Sequence, residues 1–454
     1  MIWIFLMVSI ILLVYTYYRA EIVFQGSLDE VYSKYYFAFS LMIGFWVLLL
    51  RLRKEVQINI MIVFISLVVG LYMAEGVLNF LDLGQPNNRA AAAADLGIKY
   101  DERTKMDVIK DLNAENINAV PTFHPNHLLE IGGLHKKGEA PLFPLSGISG
   151  KTTVGTNETG RRMIYLSDRY GFNNLDSEWD AGEIEWLLIG DSFTEGTAVH
   201  PGEDIAGQLR VITQKHAISL GKSGNGPLIE YASLVEYGKL LSPEKVLWIY
   251  YEGNDLRGNL NNEKDSVLLM QYMQDGFSQD LVNYQEESDN RLEKYIMKAQ
   301  AQSQVQKQAL AHSQSVLHST RWMRLYAIRN ILSNANANAN ANANANANAN
   351  ANDPLFGKIL TKAKARVEQW KGVLYFVYLP SYDRYSNKIN LHDKFRKSEV
   401  INFVKNLGIP VIDIHKEVFA YQSDPFALFP LRLPGHYNAE GYSKVAKAIA
   451  TNVR

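Results

Sequence analysis

Three apolar stretches follow one another at the start of the chain: IWIFLMVSIILLVYTYY (2–18), YFAFSLMIGFWVLLL (36–50) and INIMIVFISLVVGLYMAEGVLNFL (58–81). About 20 such residues cross the hydrocarbon core of a bilayer; the third stretch is long enough, and the first two reach that length once flanking aromatic residues are counted. The chain is therefore predicted to open with three membrane spans over residues 1–81. A cleavable signal peptide is the competing account of the first stretch, which lacks both a basic start and a small-residue cleavage site.

The link RLRKEVQ (51–57) gathers Arg51, Arg53 and Lys54 into what reads as a tight turn. Short basic loops stay in the cytoplasm, which puts the amino terminus inside and everything after residue 82 outside. Arg19 and Lys34 in the first loop pull the other way. The 51–57 turn and the third span alone decide the side of the carboxy-terminal part.

At 454 residues the chain has room for one large domain and accessory parts. A formal net charge of −1 leaves no basic excess to hold phosphates, so nucleic acid is not an expected partner. The absence of cysteine excludes disulfides, thiolate metal sites and a cysteine nucleophile.

Residues 82–182 read as a linker and a small strand-and-loop lead-in, with GQPNN, an alanine run at 90–94, and turn signals at HPNH (124–127), IGG (131–133) and GTNETG (155–160). From 183 to 454 short apolar strands alternate with helices, the pattern of a parallel sheet covered on both faces. The strands are EWLLIG (185–190), AISLG (217–221), KVLWIYYEG (245–253), GVLYFVYLP (372–380) and PVIDIH (410–415), with helices at 203–214, 226–241, 392–406 and 438–450. An insertion at 256–371 interrupts the alternation. Its Gln-rich part (285–332), with Trp322, Met323, Leu325 and Tyr326, is read as a helix packed on the main domain rather than a lid or a membrane-surface helix. The Asn/Ala repeat at 334–352 has no side chain able to build a core and is read as a linker.

In an open parallel sheet ligands gather at the carboxyl ends of the strands. There the chain places GDSF (190–193), GKSGNGP (221–227) and EGND (252–255), and LPGHYNAEGY (433–442) precedes the closing helix. Acyl transfer needs a nucleophile, a base and donors for the developing oxyanion. Ser192 is the candidate nucleophile and His436 the base; the amides of Ser192 and Gly224 and the side chain of Asn254 are the donors.

These blocks together resemble the SGNH, or GDSL-like, hydrolase family, over roughly residues 183–261 and 372–450. The resemblance implies a flavodoxin-like three-layer α/β/α domain, ester chemistry through an acyl-serine, and relatives that act on acetylated envelope polysaccharides. One position departs from the pattern: the acid usually three residues before the histidine is Leu433 here. Asp424, then Asp413, are the candidates to orient His436; a backbone carbonyl or a bare Ser–His pair are the other options.

Blander readings cover the remaining polar residues. Asp191 and Asp255 are expected to bond turn amides, and Asn438 to cap the last helix. His124 and His127 in FHPNH lack a third ligand cluster, and Pro125 disfavours a helical pair, so no metal is expected. GKSGNG lacks the Walker ending, so no phosphate loop and no cofactor are expected. The expected function is a membrane-anchored, extracytoplasmic serine esterase taking O-acyl groups, O-acetyl foremost, from envelope glycans or small esters. The alternatives are an O-acetyltransferase with a membrane acyltransferase partner, and a non-catalytic glycan-binding or assembly scaffold.

Overall fold

Apolar side chains on every side of a helix suit it to lipid rather than water. Helix α1 (Ile2–Tyr17) continues as a π-helical turn through Tyr18–Val23, α2 spans Asp29–Leu50 and α3 spans Lys54–Phe80. Trp3, Met7, Phe37, Leu48, Val63 and Met73 are all exposed on them. In the computed structural model, which describes residues 1–24, 29–80, 89–318, 325, 328–329, 332, 353–386 and 396–453, three segments are long and apolar enough to cross a membrane: Ile2–Val23, Tyr32–Leu50 and Lys54–Leu78. At 1.5 Å per residue they reach roughly 28–38 Å, so membrane association follows from length and composition.

The first two spans are longer than their apolar stretches because backbone hydrogen bonding carries the helices into polar flanks such as Arg19 and Glu21. The basic turn is shorter than the 51–57 link expected, because α3 already begins at Lys54. Gln57 Nε2 donates to the carbonyls of Leu50 (3.3 Å) and Leu52 (2.9 Å), satisfying acceptors left open where α2 ends.

The chain divides into two units, Met1–Pro86 with His312–Ala335 and Asn87–Ala311 with Asn336–Arg454. The second opens with α4 (Arg89–Asp95) and α5 (Lys105–Ala114), the latter started by a reciprocal capping box between Thr104 and Asp107. A small sheet follows: β1 (Ala119–Pro121) pairs parallel with β2 (Thr152–Val154), which pairs antiparallel with β3 (Ile164–Leu166). Phe123, Leu128, Phe143 and Phe172 from this lead-in join the main core, so it shares the main domain's interior.

The main sheet holds β4 (Trp186–Gly190), β5 (Ala217–Ser219), β6 (Lys245–Tyr251), β7 (Val373–Leu379) and β8 (Val411–Asp413), ordered β5-β4-β6-β7-β8 and parallel throughout. This is the flavodoxin-like order, and its switch point lies between β4 and β6. Side chains alternate across a strand, so each strand feeds two cores. Leu187, Ile189, Val246, Trp248, Phe376 and Tyr378 face one, and Trp186, Leu188, Leu247, Ile249, Val377 and Leu379 the other.

Helices close both faces. Between β4 and β5, the turn α6 (Ser192–Glu195) is followed by α7 (Ile205–Thr213), started by Asp204 accepting from the Gly207 amide at 2.9 Å. After β5 comes α8 (Pro227–Ser233), which continues through a π-helical turn, Leu234–Gly238. Helix α9 (Gln285–His318) anchors its first turns on the lead-in, where Arg291 donates to the carbonyls of Leu134 (2.9 Å) and Ala140 (3.1 Å). The first turns of α9 are thus packed on the lead-in; Trp322, Met323, Tyr326 and the repeat 334–352 lie outside the described residues.

Helix α10 (Pro354–Glu368) buries Phe356, Ile359, Leu360, Ala363 and Val367 against the sheet. It is the crossover from β6 to β7 and therefore belongs to the α/β alternation rather than to an insertion ending at 371. Helices α11 (Lys397–Asn406) and α12 (Ala439–Asn452) complete the layers, α12 placing Tyr442, Val445, Ala446 and Ile449 in the second core.

Candidate active site

Strand β4 is buried along its whole length and ends at Gly190, so the next residues emerge at the carboxyl edge of the sheet. Asp191 Oδ1 accepts the Phe193 amide at 2.9 Å, and α6 begins there with Ser192 in its first position. Ser192 Oγ lies 2.8 Å from His436 Nε2. On the far side of the ring, His436 Nδ1 lies 2.8 Å from Glu158 Oε1, and the His436 backbone amide donates to Glu158 Oε2 at 3.0 Å. An ionised carboxylate only accepts, which fixes the imidazole proton on Nδ1 and leaves Nε2 to accept from Ser192.

Asp424, the acid taken from the sequence, is not at the histidine. Its carboxylate pairs with Arg432 at 2.5 Å, and Asp413 is engaged by Lys397 at 2.6 Å and by the Lys416 amide at 3.2 Å. Glu158 takes the place because a loop 278 residues earlier packs beside the histidine. The GTNETG segment offered only a turn signal; no periodicity ties it to His436.

Burial works against a charged His436, but the Glu158 carboxylate outweighs it, with Asp191 and Glu195 adding, so the imidazole sits above its ordinary value. Burial likewise pushes Glu158 up, and His436, with Arg89, more than compensates and holds it below. Asp191 is raised by its own burial, against the Phe193 amide and Asn254.

The three candidate oxyanion donors lie at three strand ends. Asn254, just after β6, donates through Nδ2 to Asp191 Oδ2 at 3.1 Å, and its amide group has a second proton to offer. Asp191 therefore orients Asn254 besides capping the turn, a role the sequence did not reveal. Neither the Ser192 nor the Gly224 amide is spent on a protein acceptor among the described residues. Gly224 has φ +83°, and a Cβ there would lie 2.6 Å from the Asn126 side chain, so this position requires glycine.

A buried ion pair ties the nucleophile block to the glycine block. Lys222 Nζ lies 2.5 Å from Glu195 Oε1, Tyr165 Oη donates to the same oxygen at 3.1 Å, and the Ser223 amide donates to Oε2 at 2.8 Å. Burial opposes both charges; each overcomes it through the other, with Glu195 held down to about 2 and Lys222 raised. With its hydrogen bonds satisfied, the pair locks α6 to the loop carrying Gly224.

The remaining polar residues have structural partners. Asp255 accepts the Tyr251 amide at 2.8 Å, and Asn438 Oδ1 accepts the Gly441 amide at 2.9 Å, capping α12 and steadying the His436 loop. His124 and His127 stack with ring centroids 5.1 Å apart, and burial pushes His124 down to about 4. Among the described residues, no group of three or more histidine, cysteine, aspartate or glutamate side chains is arranged to hold a metal.

No protein-family model and no curated protein matches the chain. Among solved structures, it is similar to a lipolytic protein of the G-D-S-L family from Desulfitobacterium hafniense DCB-2, at 13% identity and TM-score 0.31, over 59% of this chain and 99% of that one. It is similar to the acetyl xylan esterase AlAXEase, at 11% identity and TM-score 0.32, over 60% of this chain and 100% of that one. It is also similar to a variant of Axe2, an acetyl-xylooligosaccharide esterase from Geobacillus, at 14% identity and TM-score 0.32, over 60% and 94%. In this structure the serine, glycine, asparagine and histidine blocks stand in that order around the carboxyl edge of a flavodoxin-like sheet.

Proposed function

We propose that the protein is a membrane-anchored serine esterase, facing away from the cytoplasm, that removes O-acyl groups, O-acetyl foremost, from envelope glycans. The observation that carries this reading is the unbroken line from Glu158 through His436 to Ser192, 2.8 Å at each step. Ser192 Oγ attacks the acyl carbon while His436 Nε2 takes its proton, and Glu158 stabilises the imidazolium. The former carbonyl oxygen, now anionic, meets the amides of Ser192 and Gly224 and the Asn254 side chain. When the tetrahedral species collapses, the sugar oxygen leaves with the proton from His436 and the acyl group stays on Ser192. Water then gives a proton to His436, attacks the acyl carbon and releases the acid, and the proton returns to Ser192.

The outward placement is supported by Arg51 and Arg53 in the short turn before α3. The glycan ester is supported by the family resemblance together with the membrane anchor. An O-acetyltransferase would use the same acyl-serine and pass the acyl group to a sugar hydroxyl; three candidate spans, more than an anchor needs, favour keeping that reading as the second. The scaffold reading rested on Leu433 in the usual place of the acid, and Glu158 beside His436 removes that ground.

The test is labelling of the full-length protein with a fluorophosphonate, comparing the wild type with Ser192→Ala and His436→Ala. Labelling of the wild type that is lost in both variants is expected; equal labelling of Ser192→Ala would sink the proposal. Expression with an acetylated glycan then separates the two reactions, since an esterase lowers its acetyl content and a transferase raises it.

A further inference from the structure

We infer that Arg89, the first described residue after the third apolar helix, is a positioning residue that assembles the acid and the base of this site. The inference rests on the esterase reading above. Three contacts carry it. Arg89 Nη1 donates to the Glu158 carbonyl at 3.1 Å, Nη2 donates to the Pro434 carbonyl at 2.6 Å, and the same Nη2 lies 3.6 Å from Glu158 Oε2. One guanidinium thus grips the loop of the acid and the loop of the base together, a use of its rigid fork that an ammonium cannot reproduce.

The surroundings leave no slack. A Cβ on Gly435 would lie 2.3 Å from Glu158 Oε2 and 2.8 Å from Arg89 Nη2, so the backbone before His436 is pressed directly onto this pair. The chain just past α4 stitches the Glu158 loop from its other end. The Asp101 amide donates to the Gly160 carbonyl at 2.9 Å, Tyr100 Oη to the Asn157 carbonyl at 3.0 Å, and Asn157 Nδ2 to the Asp101 carbonyl at 2.8 Å. Residues 89–101 therefore act as the brace for an acid that no strand of the main sheet supplies.

The charge of Arg89 has a separate consequence. The charges that raise His436 are those of Glu158 from the lead-in loop and of Asp191 and Glu195 from the nucleophile turn, the last paired with the buried Lys222. Arg89 is the cation set against Glu158. Removing it leaves Glu158 to favour the imidazolium unopposed, and a base that holds its proton more tightly works only at higher pH.

The experiment measures the rate of fluorophosphonate labelling against pH in full-length wild type, Arg89→Met and Arg89→Lys. For Arg89→Met the plateau is expected to fall on the order of tenfold, since small displacements of catalytic groups are costly, and the acidic limb to move to higher pH. Arg89→Lys is expected to keep the limb near the wild-type position but recover only part of the plateau, because charge returns and the fork does not. A wild-type profile in Arg89→Met, or an equal plateau loss in both variants with no movement of the limb, overturns the inference while leaving the esterase reading intact. If Arg89→Met does not fold, Arg89→Lys decides alone: a lowered plateau supports the inference and a wild-type plateau overturns it. A folded wild type that takes no label at any pH overturns the esterase reading and this inference with it.

Discussion

Ser192 and Glu158 reach His436 from regions of opposite character. Ser192 stands at the end of β4, a strand buried throughout and paired on both sides, so its position inherits the stiffness of the sheet. Glu158 sits in an irregular loop whose place is set by single hydrogen bonds from Arg89, Tyr100 and Asn157. The difference shows that half of a hydrogen-bonded line can be fixed by a core and half by a handful of polar contacts. Substitutions in the two regions should therefore fail in different ways.

The largest expected effect is that of Glu158→Gln, which retains the shape and loses the charge that orients the imidazole. Loss of such an acid lowers kcat by roughly 10³–10⁴-fold, and ester turnover in the variant checks it. Its pH profile sharpens the comparison. Without the carboxylate that raises His436, burial dominates, the imidazole pKa falls, and the acidic limb of activity moves to lower pH. That shift is opposite to the one expected of Arg89→Met.

Lys222→Met strikes the nucleophile side through stability, because it leaves Glu195 charged and buried without its partner. A loss of about 3–5 kcal/mol is expected in denaturant unfolding. Asn254→Ala removes the candidate oxyanion donor and should raise the barrier by about 2.7–4 kcal/mol, read from kcat. Asn438→Ala uncaps α12 next to His436 and should cost about 1 kcal/mol in thermal unfolding. The smallest effect is that of Asp424→Asn, whose surface pair with Arg432 is worth about 0–1 kcal/mol; turnover like that of the wild type would separate it cleanly from Glu158.

The strand-end blocks were legible because a parallel strand must be apolar while buried and turns polar where it leaves the sheet. LLIG followed by DSF, and IYY followed by EGND, show that change within a few residues. The caps formed by Asp191 and Asn438 were legible for a related reason, since a helix start exposes amides that a nearby short polar side chain can accept. Three features were hidden: the bond from Asn254 to Asp191, the Lys222–Glu195 pair, and Glu158. Each joins residues far apart in the chain, and a lone Glu in GTNETG looks like any solvated turn residue.

The sequence by itself determined the apolar helices at the start, the alternation that builds a doubly covered parallel sheet, and the order of serine, glycine, asparagine and histidine around it. Those features are written in local patterns of hydrophobicity and in where the patterns stop. Only the tertiary structure decided which acid serves the histidine and what holds that acid in place. The reason is physical: Glu158 gains its role from a carboxylate 2.8 Å from an imidazole and from an arginine that grips both loops, and such proximity leaves no trace in either loop alone.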